Sequence, residues 1–151
     1  MNVDFFMQQA IIEANKAFNL SEFPVGGILV DSISNKIVAR SHNSVNEDNN
    51  ATKHCELNLI NEACKKYKIK YLENMTLFVT LEPCTMCASA ISEVHIKNIY
   101  FGAYDDKNGG IEKLRLAFQR KHIFIPTVYG GIMEKECSNL LKNFFKYKHD
   151  R

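Results

Sequence analysis

The segment Thr76-Leu77-Phe78-Val79-Thr80-Leu81-Glu82-Pro83-Cys84-Thr85-Met86-Cys87 frames the rest of the chain. Its first half, Thr76 to Leu81, runs without polar alternation, the pattern of a strand covered on both faces. Pro83 follows, and proline suits the first turn of a helix because its missing N–H would have no partner there. The pattern predicts a helix from Pro83 to about Ser92, kept slim for close packing by Ala88, Ser89 and Ala90. A buried strand that delivers directly into a helix belongs to an α/β layer arrangement. Cys84 and Cys87 lie three residues apart on one face of that helix, so both sulfurs can reach one object.

Upstream, Thr52 is a candidate cap for a helix running to about Tyr67, with Leu57, Ile60, Ala63 and Cys64 on its apolar face. His54 and Glu56 then fall in its first turn. They are two apart and share no stripe, yet both can converge on something held off the helix end. Phe6, Ala10, Ala14 and Phe18 recur at helical spacing and predict a helix from Asp4 to Phe18, capped by Asn2 or Asp4. Gly27 to Val30 reads as a buried strand and Ile37 to Arg40 as its hairpin partner across a polar turn. Gly26 and Gly27 fit close packing better than close approach of a substrate.

Ser41 to Thr52 is an Asn-rich loop. Within it Asn43 is of interest because an amide can both donate to and accept from a base or ribose, although Asn is also a common turn residue. Further strands are expected at Asn98–Gly102 and, as an edge strand, at Ile123–Tyr129, with a short helix at Glu112–Gln119 between them. Met133, Cys137, Leu140, Leu141, Phe144 and Phe145 mark a C-terminal helix. The early hairpin implies antiparallel pairing, and the later strand–helix alternation implies parallel pairing. The expected fold is therefore α/β, a three-layer α/β/α sandwich around a mixed sheet of about five strands, as one domain over residues 1–151.

Composition narrows the setting. The 151 residues carry a net charge of +2, 46% hydrophobic and 24% charged residues, the balance of a soluble globular chain. No apolar run approaches membrane-spanning length, and the N-terminus lacks the basic-then-apolar pattern of a secretory signal. Five cysteines, two of them in Cys-x-x-Cys, favour metal-bound or free thiols in a reducing compartment, so the expected location is the cytoplasm and no membrane is expected as a partner.

His54, Cys84 and Cys87 supply three zinc ligands, the number that leaves a fourth position for water in catalytic sites. Zinc can bring the pKa of its water from about 15.7 to near 7. Glu56, beside the ligand His54, is placed to take and return protons. That combination suits water attack on an amidine-like carbon that expels ammonia, such as the amine-bearing carbons of adenine, cytosine and guanine. His-x-Glu alone is a weak signal and Cys-x-x-Cys alone also fits structural zinc or a redox dithiol. Pro-Cys-x-x-Cys after a buried strand, about thirty residues beyond a His-x-Glu, is much more specific and is the established signature of zinc-dependent nucleobase deaminases.

On these residues the chain resembles the cytidine/deoxycytidylate deaminase superfamily, and within it the bacterial-type tRNA-specific adenosine deaminases. The resemblance is densest at Phe23–Val30, Phe78–Cys87, Phe101–Asp105 and Glu136–Phe145. It implies one zinc per subunit on His54, Cys84 and Cys87, with Glu56 as proton shuttle. It implies hydrolysis of adenosine to inosine at the wobble position of a tRNA anticodon loop, usually of an arginine tRNA, by a homodimer. It further implies that Asn43 contacts the target nucleoside, Asp105 a flanking nucleotide, and Phe144 or Phe145 the anticodon bases. Three positions depart from the common pattern: Lys53, Cys55 and Tyr104. Cys55 adds a third thiol near the metal, either a spare ligand or a buried bystander. Tyr104 stands where relatives often carry Arg and can stack on a base without neutralising phosphate. The alternatives on the same residues are a deaminase of free guanine, cytosine or a nucleoside, and a zinc-stabilised RNA-binding module in which Glu56 would be dispensable.

Overall fold

The computed structural model describes residues 1–111 and 123–149. Helix α1 (Val3–Asn19) opens the chain, and the Asn2 side chain caps it by accepting the Phe5 N–H at 3.1 Å. Strands β1 (Gly26–Asp31) and β2 (Ile37–His42) form the antiparallel hairpin. Helix α2 (Cys55–Tyr67), strand β3 (Met75–Leu81), helix α3 (Thr85–Glu93) and strand β4 (Asn98–Ala103) follow. Strand β5 (Thr127–Tyr129) and helix α4 (Glu134–His149) complete the described elements.

The sheet has the order β2-β1-β3-β4-β5. β1 pairs antiparallel with β2 and β3, whereas β3–β4 and β4–β5 are parallel, so the sheet is mixed as expected. Alternate side chains go to opposite faces of a strand, and the core divides accordingly. Leu29, Leu77, Val79 and Ile99 pack with Leu59, Ala63, Ala88 and Ile91 of α2 and α3. Ile28, Val30 and Phe78 pack with Phe6, Met7 and Ala10 of α1 and Cys137 of α4. Every residue of β3 except Leu81 is buried, which is why its sequence shows no alternation. This is the α/β/α sandwich.

Gly26 and Gly27 serve packing. A Cβ at Gly26 would overlap the backbone of Ala10 and Ala14 on α1. One at Gly27 would lie 2.8 Å from the Phe78 carbonyl oxygen and 3.0 Å from the Cys55 sulfur.

Three boundaries differ from expectation. Thr52 is not the cap of α2; His54 holds that position, and Cys84 holds the equivalent one on α3, with Pro83 just outside the helix. The edge strand is shorter than Ile123–Tyr129, because pairing with β4 starts only at Thr127, opposite Asn98. Pro126 has no N–H to donate to a ladder, and Phe124 is held instead through its carbonyl by the Ser92 hydroxyl and through its ring by His95. The helix expected at Glu112–Gln119 lies outside the described residues.

The layers bring the ends of four elements together. β3 and β4 are parallel, so their C-terminal ends lie side by side. The following loops are stitched by Glu82 N–H to the Ala103 carbonyl and Gly110 N–H to the Pro83 carbonyl, each 2.8 Å. The N-terminal ends of α2 and α3 meet at the same edge.

Candidate metal centre and catalytic cleft

A helix N-terminus leaves its first backbone N–H groups unpaired, and a capping side chain normally accepts from one of them. His54 and Cys84 occupy the two N-cap positions with extended backbones and no side-chain cap hydrogen bond. Their side chains are turned to each other instead. His54 Nδ1 lies 3.6 Å from the sulfur of Cys84 and 3.6 Å from that of Cys87. One donor atom from each of the three residues falls within 4.8 Å of the others. A tetrahedral zinc with Zn–S near 2.3 Å and Zn–N near 2.0–2.1 Å requires an N···S edge of about 3.6 Å. Two thiols and an imidazole at that spacing are the donor set zinc takes.

The three groups set one another's protonation. The Cys84 thiol is drawn down to about 4, first by a hydrogen bond from Cys87 and then by one with His54, against the opposing effect of burial. The same bond to the Cys84 sulfur, together with burial, pushes Cys87 upward, and the partnership with Cys84 raises His54. The converging positive ends of α2 and α3 favour negative charge at this point.

Glu56, at the second position of α2, is 4% exposed. Burial pushes its carboxyl up to about 7, with the neighbouring Cys84 adding to the rise. A carboxyl with an affinity for protons near neutrality can both accept and release one under ordinary conditions. Cys55 stands apart from this group. It is buried, its sulfur faces the Ser41 carbonyl at 3.4 Å, and burial holds its thiol well above the ordinary range. It packs in the core beside Leu59 and is absent from the ligand cluster.

His54, Glu56 and Cys84 line a cleft of about 730 Å³. Asn43 lines it too, and its Oδ1 accepts the Cys55 N–H at 2.8 Å, tying the Asn-rich loop to the start of α2. Asp105 also lines the cleft, and its Oδ1 accepts the N–H groups of Lys107 and Asn108 at 3.2 and 2.9 Å, which shapes the loop after β4. Both phenylalanines of α4 reach the cleft but differ in character. Phe144 is 6% exposed and packs edge-on against Phe18 and Phe23, whereas Phe145 is 49% exposed beside Phe23.

Tyr104, the residue able to stack on a base, is not among those that line this cleft. It is the first residue past β4, and its ring lies edge-on to Phe101 at 4.9 Å between centroids. Its hydroxyl lies beside Gly130, while the next residue, Asp105, faces the cleft.

Glu82 was not among the expected site residues; its carboxylate accepts the Asp105 N–H at 3.1 Å and so joins the loop after β3 to that after β4. Neither was Glu22, which is buried and lines the cleft. The signal for Glu82 was an acidic residue at the mouth of a buried strand, directly before Pro-Cys. Glu22 had no such signal, because its partners are backbone groups of a distant loop.

Residues 1–103 match the family described as the cytidine and deoxycytidylate deaminase zinc-binding region. A tRNA-specific adenosine deaminase of Rickettsia felis is 42% identical over 141 residues, 93% of this chain and 98% of that one. The protein of the same name from Bacillus subtilis is 38% identical, covering 95% of this chain and 88% of its own length. A solved structure from a study of A-to-I editing by tRNA deaminases at the wobble position of transfer RNA superposes with a TM-score of 0.84 at 39% identity, over 91% of this chain and 99% of that one. A guanine deaminase from Nitrosomonas europaea superposes with a TM-score of 0.78 at 17% identity, over 93% of this chain and 83% of that one, and shares the fold. The chain belongs to the cytidine and deoxycytidylate deaminase family.

Proposed function

We propose that this chain catalyses the hydrolytic deamination of adenosine to inosine at the wobble position of a tRNA anticodon. The observation that carries the reading is the buried Glu56 carboxyl beside the His54–Cys84–Cys87 cluster, within a cleft also lined by Asn43, Asp105 and the half-exposed Phe145. Relatives named tRNA-specific adenosine deaminase, at 42% and 38% identity, support the choice of substrate. His54, Cys84 and Cys87 would hold one zinc ion, a Lewis acid that lowers the pKa of water to near 7.

The protein's own contribution is proton transfer and positioning. Glu56 takes a proton from the attacking water and delivers it to N1 of the adenine ring while the water oxygen bonds to C6. It then moves the remaining hydroxyl proton to the exocyclic amine, the C6–N bond breaks, and ammonia leaves. Water and adenosine are consumed, and inosine and ammonia are formed. Asn43 is assigned to the target nucleoside, Asp105 to a flanking nucleotide and Phe145 to stacking on an extruded anticodon base. Phe144 packs edge-on against Phe145 and against Phe18 and Phe23.

An arginine tRNA in the cytoplasm is the proposed substrate, and a homodimer the proposed working form. No helix among the described residues is long and apolar enough to cross a membrane. Incubating the zinc-loaded chain with an arginine tRNA carrying wobble adenosine, then sequencing, should show inosine at that position. Absence of conversion, alongside ammonia release from free guanine or cytosine, would contradict the RNA reading. Sedimentation that finds only monomer at micromolar concentration would contradict the dimer.

A further inference from the structure

One buried carboxylate beside the cleft takes no part in the proton chemistry. Glu22 is 2% exposed. Its Oε1 accepts the Asn46 N–H at 3.0 Å and its Oε2 accepts the Glu47 N–H at 2.7 Å. The neighbouring Ser21 carbonyl accepts the Asn46 side-chain amide at 3.4 Å. Glu22 is itself rooted in the last turn of α1, its N–H donating to the Ala17 carbonyl at 2.9 Å.

The loop it holds has no regular structure, yet it supplies Asn43, Val45 and Asn46 to the cleft. Its start is tied elsewhere. Asn43 N–H donates to the Val25 carbonyl at 3.0 Å, and the Asn58 side chain donates to the Ser44 hydroxyl at 3.0 Å. Glu22 secures the stretch that follows, at Asn46 and Glu47. A carboxylate offers an acceptor to each of two N–H groups at once, whereas an amide of the same shape would turn a donor towards one of them. Hydrogen bonds to an ionised acceptor are also about twice as strong as neutral ones.

We propose that Glu22 is a positioning residue for substrate: its carboxylate pre-orders the Val45–Asn46 wall of the cleft against which the nucleotides flanking the target base are received. The inference rests on the RNA reading above. A wall already in place spares the ordering cost that binding would otherwise bear. The effect therefore falls on KM rather than on the chemical step.

The test uses the zinc-loaded full chain and an anticodon stem-loop RNA with wobble adenosine. Glu22→Gln should raise KM about tenfold, the weight of one charge-assisted hydrogen bond, with kcat changed by less than about twofold. Amide hydrogen exchange at Asn46 and Glu47 should quicken while the amides of β3 stay protected. Glu22→Ala should move both readouts further in the same direction. Unchanged exchange at Asn46 and Glu47 would overturn the clamp. A fall in kcat and in β3 protection with KM unchanged would make Glu22 merely structural and overturn it equally. If the parent converts no RNA, the substrate reading fails by itself, and the exchange measurement still decides the clamp.

Discussion

Two cysteines close to the same helix ends have opposite surroundings. Cys84 faces an imidazole and a second thiol, and its neighbours hold it as thiolate. Cys55 faces a backbone carbonyl in a dry core, where burial favours the neutral thiol. The sequence alone placed both beside His54 and could not separate ligand from bystander, because the difference lies in the direction of the side chains. Removing one of three ligands leaves a site that binds zinc poorly. Cys84→Ala should therefore lose its zinc by elemental analysis, while Cys55→Ala keeps one zinc per chain. A zinc-free Cys55→Ala that remains folded would return Cys55 to the ligand set. Tyr104 and Asp105 make the same point. Successive residues leaving a strand turn to opposite sides, and only Asp105 faces the cleft.

The elements were legible where burial patterns control them and less so at their ends. The unbroken apolar run of β3 and the helical spacing of α1 both translate directly into observed elements. The starts of α2 and α3 were missed by two positions or fewer, for a definite reason: capping rules look for Ser, Thr, Asp or Asn, and here His54 and Cys84 stand in the cap positions. Part of the capping work on α2 passes to Asn43, whose side chain accepts the Cys55 N–H from across the loop. That bond spans twelve residues, so no local pattern announces it. Asn43→Ala should cost about 0.5–2 kcal/mol of folding stability, a fall of about 1–8 °C in Tm for a chain of this size. Asn43→Asp keeps an acceptor and should recover most of the loss in a calorimetric scan. Equal Tm values for parent and Asn43→Ala would deny the cap.

At the scale of the molecule, the mixed sheet and its two helical layers followed from the hairpin near the N-terminus and the strand–helix alternation after it. The cleft was legible in its chemistry but not in its walls. His54, Glu56, Cys84 and Cys87 come from two short motifs, whereas Glu22, Val45, Lys107 and Phe145 reach the same space from separate parts of the chain. The topology places the C-terminal ends of two parallel strands against the N-terminal ends of two helices, concentrating ligands, helix dipoles and a buried carboxyl at one edge. We propose that this edge is a hydrolytic zinc site worked by Glu56. The most direct test is to measure zinc content and inosine formation on the same samples of parent and Glu56→Ala. One zinc per chain is expected in both, with inosine formation in the variant reduced about 10²–10⁴-fold. A zinc-loaded Glu56→Ala that forms inosine at the parental rate would contradict it.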